Sequence, residues 1–225
     1  MGALHAHLFR SLVEFIGITT LVVTDLDSVN GPADGEGDDD AELVEGDDED
    51  YEVVAGSTCT PETPDAVTSN QMLAQWLPGK NRIDELLAAG AAAKTVAADD
   101  FGLGAIRVTY PCTVSLELGG EQIERAGRTL EVAFAFDNLE WTQDVANREL
   151  RLRVRAPQDL EDLARRLHDK VHSSNYKKTD FALALLAKDP DAWIVPHYVA
   201  EGLKWLETTL GVAVEEDDQQ EGDAA

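Results

Sequence analysis

Three things are scarce in this 225-residue sequence: cysteine, long apolar runs, and positive charge where negative charge is densest. The two cysteines, Cys59 and Cys112, sit in unlike contexts without metal-ligand spacing. That speaks against a disulfide framework and reads as reduced thiols in a cytoplasmic protein. No run of 18 uncharged apolar residues occurs, so no transmembrane helix and no membrane partner are expected. The opening MGALHAHLFRSLVEFIG lacks the basic start of a signal peptide and carries His5, His7, Arg10 and Glu14 within the run. A GxxxxGK[ST] phosphate loop is missing too, so the chain by itself is not expected to bind ATP in that way.

Charge is distributed unevenly. Residues 31–66 hold 14 Asp and Glu and no Lys or Arg, and residues 215–225 hold six more acids and no base. Setting these aside turns a formal charge of −26 into 24 acids against 18 bases, so the remainder is only mildly acidic. Nine of the 18 basic residues fall between Arg148 and Lys178, against five acids there, which is compatible with a locally basic surface.

The pattern along the chain is α/β. Leu8, Phe9, Leu12, Val13 and Ile16 recur at helical spacing, with Gly17 as the expected C-cap. TTLVVT, 19–24, is short and β-branched and reads as a strand buried on both faces, as in a parallel sheet. Residues 31–66 carry too much charge, Gly and Pro to support a core and read as a disordered insert. Ser69 or Asn70 is expected to cap a short helix, IDELLAA forms another, and AIRVTYPCTVSLEL reads as one or two strands interrupted by Pro111. GRTLEVAFAFDN reads as an apolar helix with Thr129 at its N-cap. Helices follow in PQDLEDLARRLHDKV, KTDFALALLAK and VPHYVAEGLKWLETTL, with Trp193, Trp205 and Phe181 expected in the core. Thr179 or Asp180 is expected near the start of the second of these. The domain reading is 1–150 as a metal-binding domain, 151–212 as a helical segment completing the site, and 213–225 as a disordered acidic tail.

Asp25 and Asp27 end the first strand. Extended residues two apart project the same way, and two close carboxylates repel unless a hard cation such as Mg²⁺ sits between them. The alternative is a solvated loop start. Ligands in parallel sheets bind beyond the carboxyl ends of strands, which is where these acids stand. Glu131 lies inside an apolar stretch, so it either reaches the surface or faces a group that needs it. Lys178 starts a helix, where a cation is disfavoured by the dipole; reaching a phosphate would explain it. His5 and His7 are read as capping or surface residues. His168 and His172 are four apart and are read as a solvated helix face; His197 is read as a cap or packing residue.

In this order VVTDLDSV, VTSNQMLAQWLPG, GRTLEVAFAFDN, KKTDFALALL and IVPHYVAEGLKWLE resemble the carboxyl-terminal region of OLD-family nucleases (overcoming lysogenisation defect). The resemblance implies a Rossmann-like TOPRIM sheet flanked by helices, with a small helical subdomain and an ABC-type ATPase domain in the same or a neighbouring chain. It implies DNA as partner, two Mg²⁺ or Mn²⁺ ions as cofactors, and a homodimer as one open assembly. Asp25 and Asp27 would be metal ligands, Ser69 would lie close to the metals, and Glu131 would be a further ligand. Lys178 would contact the scissile phosphate, with Lys177 as the fallback, while Glu201 is a weaker, structural candidate. One departure stands out: the glutamate-bearing first strand of such domains would lie before Met1.

The implied activity is two-metal phosphodiester hydrolysis, a DNA endonuclease, with phosphate contacts from Arg151, Arg153, Arg155 and Lys177. Two rivals remain open. One is a haloacid-dehalogenase-like phosphatase with Asp25 as nucleophile, Val29 in place, and Asp99 or Asp100 completing the metal site. The other is a degenerate, non-catalytic TOPRIM fragment serving as an interaction module.

Overall fold

The computed structural model describes residues 3–31, 56–99 and 102–211. The middle of the acidic insert, Asp100 and the acidic tail lie outside them. A 3₁₀ turn, Ala3–Phe9, leads into α1 (Arg10–Ile16), which ends at Gly17 in the left-handed conformation, as its C-cap role requires. Strands β1 (Thr20–Val23), β2 (Ser28–Val29) and β3 (Val67–Thr68) follow, then α2 (Gln71–Gln75), α3 (Ile83–Leu87), β4 (Thr95–Val96), β5 (Ile106–Thr109), β6 (Thr113–Leu118) and β7 (Glu121–Ala126). The rest is helical: α4 (Leu130–Asp137), α5 (Leu139–Gln143), a 3₁₀ segment Val145–Leu150, α6 (Leu160–Val171), α7 (Lys178–Leu186), a short 3₁₀ turn Pro190–Ala192, and α8 (His197–Leu210).

The fold is mixed α/β. β5 is the centre of a three-stranded sheet, parallel to β1 and antiparallel to β4. All four residues of β5 are buried, whereas β1 is half-buried and Val23 is exposed. The expectation that TTLVVT is buried on both faces is therefore corrected: among the described residues β1 pairs on one side only, and it is the edge of its sheet. AIRVTYPCTVSLEL does split at Pro111, into β5 and β6. Gly119 and Gly120, both at positive φ, turn β6 back on β7, the conformation that tight hairpin turns need.

Two cores form. One gathers Leu26, Met72, Leu73, Ile83, Leu86, Ile106, Val108 and Tyr110 around the sheet. The other joins β6, α4, α6 and α7, and its Leu150, Leu152 and Val154 run straight through residue 150. The Phe134 ring stands edge-on to Phe181 and Trp193, with centroids 5.5 and 5.4 Å away. α4 is apolar over most of its surface because residues 131–136 are all buried, while Leu130 at its start is exposed. Phe181 is core, while Trp193 and Trp205 are only partly buried.

Two further expectations are corrected. The carboxyl end of residues 31–66, where it is described, is packed rather than disordered: Thr58 bridges to Val29, and Cys59 and Ala66 are buried. His168 does not lie on a solvated face but is buried, because α6 turns Leu160, Leu163, Leu167 and His168 inward together. Cys59 and Cys112 are both free thiols. Among the described residues no helix is long and apolar enough to cross a membrane.

Candidate functional site

β1 delivers the chain to a sharp bend. Thr24 is buried and its N–H donates to the Thr109 carbonyl, continuing the β1–β5 ladder by one step. Leu26 is fully buried in the sheet core, and the two acids flank it. Asp27 adopts φ 49°, a left-handed conformation that Asp tolerates better than bulkier residues. The same-side alternation expected of an extended Asp-x-Asp is thus not what pairs the acids; a turn does.

That turn is tied from two sides. Asn70 is buried; its Nδ2 donates to Thr24 Oγ1 and to the Asp25 carbonyl, both at 2.8 Å, while its Oδ1 accepts from Met72 N and so caps α2. Of the two expected caps, Asn70 takes the role. Ser69 donates through both its N–H and its Oγ to the Asp27 carbonyl, each at 3.1 Å, which sets it beside the acids. From the other side, the Arg128 carbonyl accepts from Leu26 N and Asp27 N. Arg128 Nε donates to the Ser28 carbonyl at 2.8 Å, and its Nη1 lies 3.6 Å from Asp27 Oδ1.

α4 brings the third carboxylate. Thr129 occupies the N-cap position, but its hydroxyl makes no capping bond and is buried without a partner. Asp25 replaces it: its Oδ1 accepts from the Leu130 N–H at 2.9 Å. The negative charge therefore sits at the positive end of α4. One residue on, the buried Glu131 lies 3.3 Å from Lys178 Nζ, and the same ammonium lies 3.9 Å from Asp25 Oδ2. Lys178 opens α7, so one cation bridges two elements that carry acids. Glu131 Oε2 has no hydrogen-bond partner despite this ion pair.

The electrostatics follow from this crowding. Burial first, then the charges of Asp27 and Glu131, push the Asp25 carboxyl up to about 6 against the opposing pull of Lys178 and the Leu130 N–H. Burial also raises Asp27, against the pull of Arg128 and Lys178. His172 and Tyr176 stand in the same field. His172 Nδ1 bonds the His168 carbonyl at 2.8 Å, leaving Nε2 buried and unpartnered. Burial holds this imidazole down to about 4, with Arg128 and Lys178 among the charges depressing it, so it is neutral at ordinary pH. The Tyr176 hydroxyl is also buried without a partner and is raised by burial and by Glu131. Orphaned polar atoms of Thr129, Glu131, His172 and Tyr176 thus collect around one acid cluster.

The remaining candidates lie apart from it. Arg151 pairs with Asp180, Arg153 Nε donates to the Gln143 carbonyl, and Arg155 and Lys177 are exposed. Glu201 pairs with the buried Arg107, a packing role between α8 and β5. His197 donates its backbone N–H to Asp137, and its side chain is exposed. Asp99 closes a loop by accepting from Leu103 N. Among the described residues no three or more His, Cys, Asp or Glu side chains converge as a ready metal cage; Lys178 and Arg128 meet the acids instead. Sequence reasoning missed Arg128, Asn70 as a brace, His172 and Tyr176. The one signal that could have flagged Arg128 is its place three residues before Glu131 in the same segment. Comparison finds no family model, curated protein or solved structure that matches the chain.

Proposed function

We propose that the chain is the nuclease part of an ATPase–TOPRIM protein of the OLD type, a Mg²⁺- or Mn²⁺-dependent DNA endonuclease. The observation that carries this reading is the meeting of Asp25, Asp27, Glu131 and Lys178 from three separate segments. The oxygen donors are of the kind a hard cation takes, although among the described residues they meet Lys178 and Arg128 rather than converge as a ready cage. The three carboxylates feel one another's charge, the buried Glu131 Oε2 has only the Lys178 ammonium beside it, and burial together with Asp27 makes Asp25 hold its proton unusually strongly, a strain that a hard cation would relieve. Asp25, Asp27 and Glu131 would hold the metal, with Ser69 alongside; when bound it would supply Lewis acidity toward a phosphodiester.

The chain's own residues set up the chemistry. The Leu130 N–H fixes the rotation of the Asp25 carboxylate, and Arg128 fixes Asp27. Lys178, with its side chain 58% exposed, can leave its acids to meet charge building on a phosphate. Neutral His172 and protonated Tyr176 wall the cluster without adding charge. The exposed Phe9, Leu12, Phe15 and Ile16 and the unpaired edge of β1 favour a working partner, in line with an ATPase region or a second copy. A phosphatase reading has less support, since Asp99 is engaged with Leu103 and Asp25 Oδ1 with Leu130.

Nicking of supercoiled DNA with added Mn²⁺ tests the proposal, alongside Mn²⁺ calorimetry. Nicking by the wild type that is lost in Asp25→Asn, Asp27→Asn and Lys178→Met supports it. Undiminished nicking in those variants moves the chemistry elsewhere. A wild-type chain that neither binds Mn²⁺ nor nicks DNA is a non-catalytic interaction module.

A further inference from the structure

Away from the acid cluster, the loop after the Val145–Leu150 turn and the last turns of α6 enclose two adjoining open basins. The larger, about 520 Å³, is lined by Arg153, Val154, Arg155, Arg166, Asp169 and Lys170. The second, about 340 Å³, is lined by Arg148, Arg151, Lys170, Ser173, Asn175 and Tyr176. Lys170 belongs to both. Its ammonium donates to the Arg153 carbonyl at 2.6 Å, which pins it between them. Burial and four surrounding guanidinium groups, those of Arg155, Arg166, Arg151 and Arg153, all lower its pKa.

Most of this charge is uncompensated. Arg148, Arg153, Arg155 and Lys170 have no carboxylate within ion-pair distance among the described residues, while Arg151 pairs with Asp180, Arg166 shares Asp162 with Arg165, and Asp169 is engaged by Arg165. Holding six cations together costs free energy, and a polyanion repays it. A single small anion would need one basin, not two joined end to end. The second basin ends at Tyr176, and its Arg151 pairs with Asp180, two residues beyond Lys178 in α7, so the basic path runs toward the helix that carries Lys178 to the acid cluster.

From this layout we infer that the paired basins hold successive phosphates of one nucleic-acid strand, with Lys170 as the shared contact, on the uncleaved flank of the site. The assignment rests on the nuclease reading for its direction toward the acid cluster, but the binding itself needs no metal and no cleavage. Phosphate contacts are sequence-blind and release counterions, so affinity falls steeply with salt.

The test is fluorescence anisotropy of a labelled DNA duplex and of its separated strand with the full chain in EDTA, across a salt series. Lys170→Gln combined with Arg155→Gln should weaken binding roughly tenfold or more and reduce the salt slope by about 0.7 to 0.9 for each phosphate no longer neutralised. Thermal unfolding of the variant serves as the check on folding, and Arg155→Gln alone, at an exposed position, should give a smaller shift in the same direction. An unchanged affinity and slope in both variants overturns the inference. Displacement of the DNA by polyglutamate at equal charge concentration also overturns it, in favour of an acidic peptide as occupant. If binding behaves as expected while the wild type never nicks DNA with Mn²⁺, the nuclease proposal fails and the strand site stands.

Discussion

Asp25 and Leu130 are 105 positions apart in sequence, and the carboxylate of the first caps the helix that the second begins, at 2.9 Å. The bend after β1 and the start of α4 are thereby locked into one unit, and substitutions within it have distinct expected outcomes.

Asp25→Asn should stabilise the metal-free protein at neutral and alkaline pH. An ordinary aspartate titrates near 3.8 and this one near 6, so the folded chain binds the proton more tightly than the unfolded chain. Stability therefore declines as pH rises from about 4 through 6 and stays lowered above that. The neutral amide keeps the Oδ1 that accepts from Leu130 and removes the crowded charge. Urea unfolding at about pH 8 should show a gain on the order of 1–2 kcal/mol, absent at about pH 4. Equal stabilities at both pH values would mean the carboxylate is not strained.

Lys178→Met should leave Glu131 facing a buried site without its cation. The glutamate side chain is 6% exposed but the lysine is 58% exposed, so solvent already screens part of the pair. A loss of about 1 kcal/mol is expected by denaturant titration, with nicking reduced roughly 100-fold or more. Lys178→Arg should recover the stability and only part of the activity. Full nicking by the methionine variant would remove Lys178 from the reaction.

Asn70→Ala removes two donated bonds and a helix cap from a fully buried position, and strands Thr24 Oγ1 and the Asp25 carbonyl. A cost of about 2–4 kcal/mol is expected. Hydrogen exchange should quicken at Asp25, Leu26 and Met72 before the α6 core loosens. Uniform loosening would assign Asn70 to global stability rather than to the bend.

Gly127→Ala places a methyl group 2.5 Å from the Ala133 backbone nitrogen. Neither β7 nor α4 can yield without moving Arg128 and Glu131. The expected loss is about 1–3 kcal/mol by calorimetry, with weaker Mn²⁺ binding than in an equally destabilised core variant. Wild-type melting behaviour would show that this approach is looser than it looks.

Local patterns made much of the fold readable. Gly17 ends α1, Pro111 separates β5 from β6, and the α6 periodicity buries one face, because each depends on neighbours within a turn or two. The meeting of Asp25, Glu131 and Lys178 came from ordered resemblance, since spacing alone does not bring together residues 106 and 47 positions apart. Arg128 and Asn70 were opaque as braces because the bend they hold is distant in sequence and much of what they bond there is backbone carbonyl, which carries no sequence signature. His168 misled for a related reason: an i, i+4 pair shows that two rings share a face, not which way the face points. Burial of β1 was overestimated because β-branched residues favour an edge strand as readily as a central one.

The Thr20 and Thr24 N–H groups point to β5, so in a parallel ladder the peptide groups of Leu21 and Val23 point the other way. Among the described residues nothing answers them. A peptide laid along that rim would zip onto the sheet, and its leading tip would emerge a residue or two from Asp25. Were a companion strand to dock along that rim, the same contact would bring its end up beside Asp25.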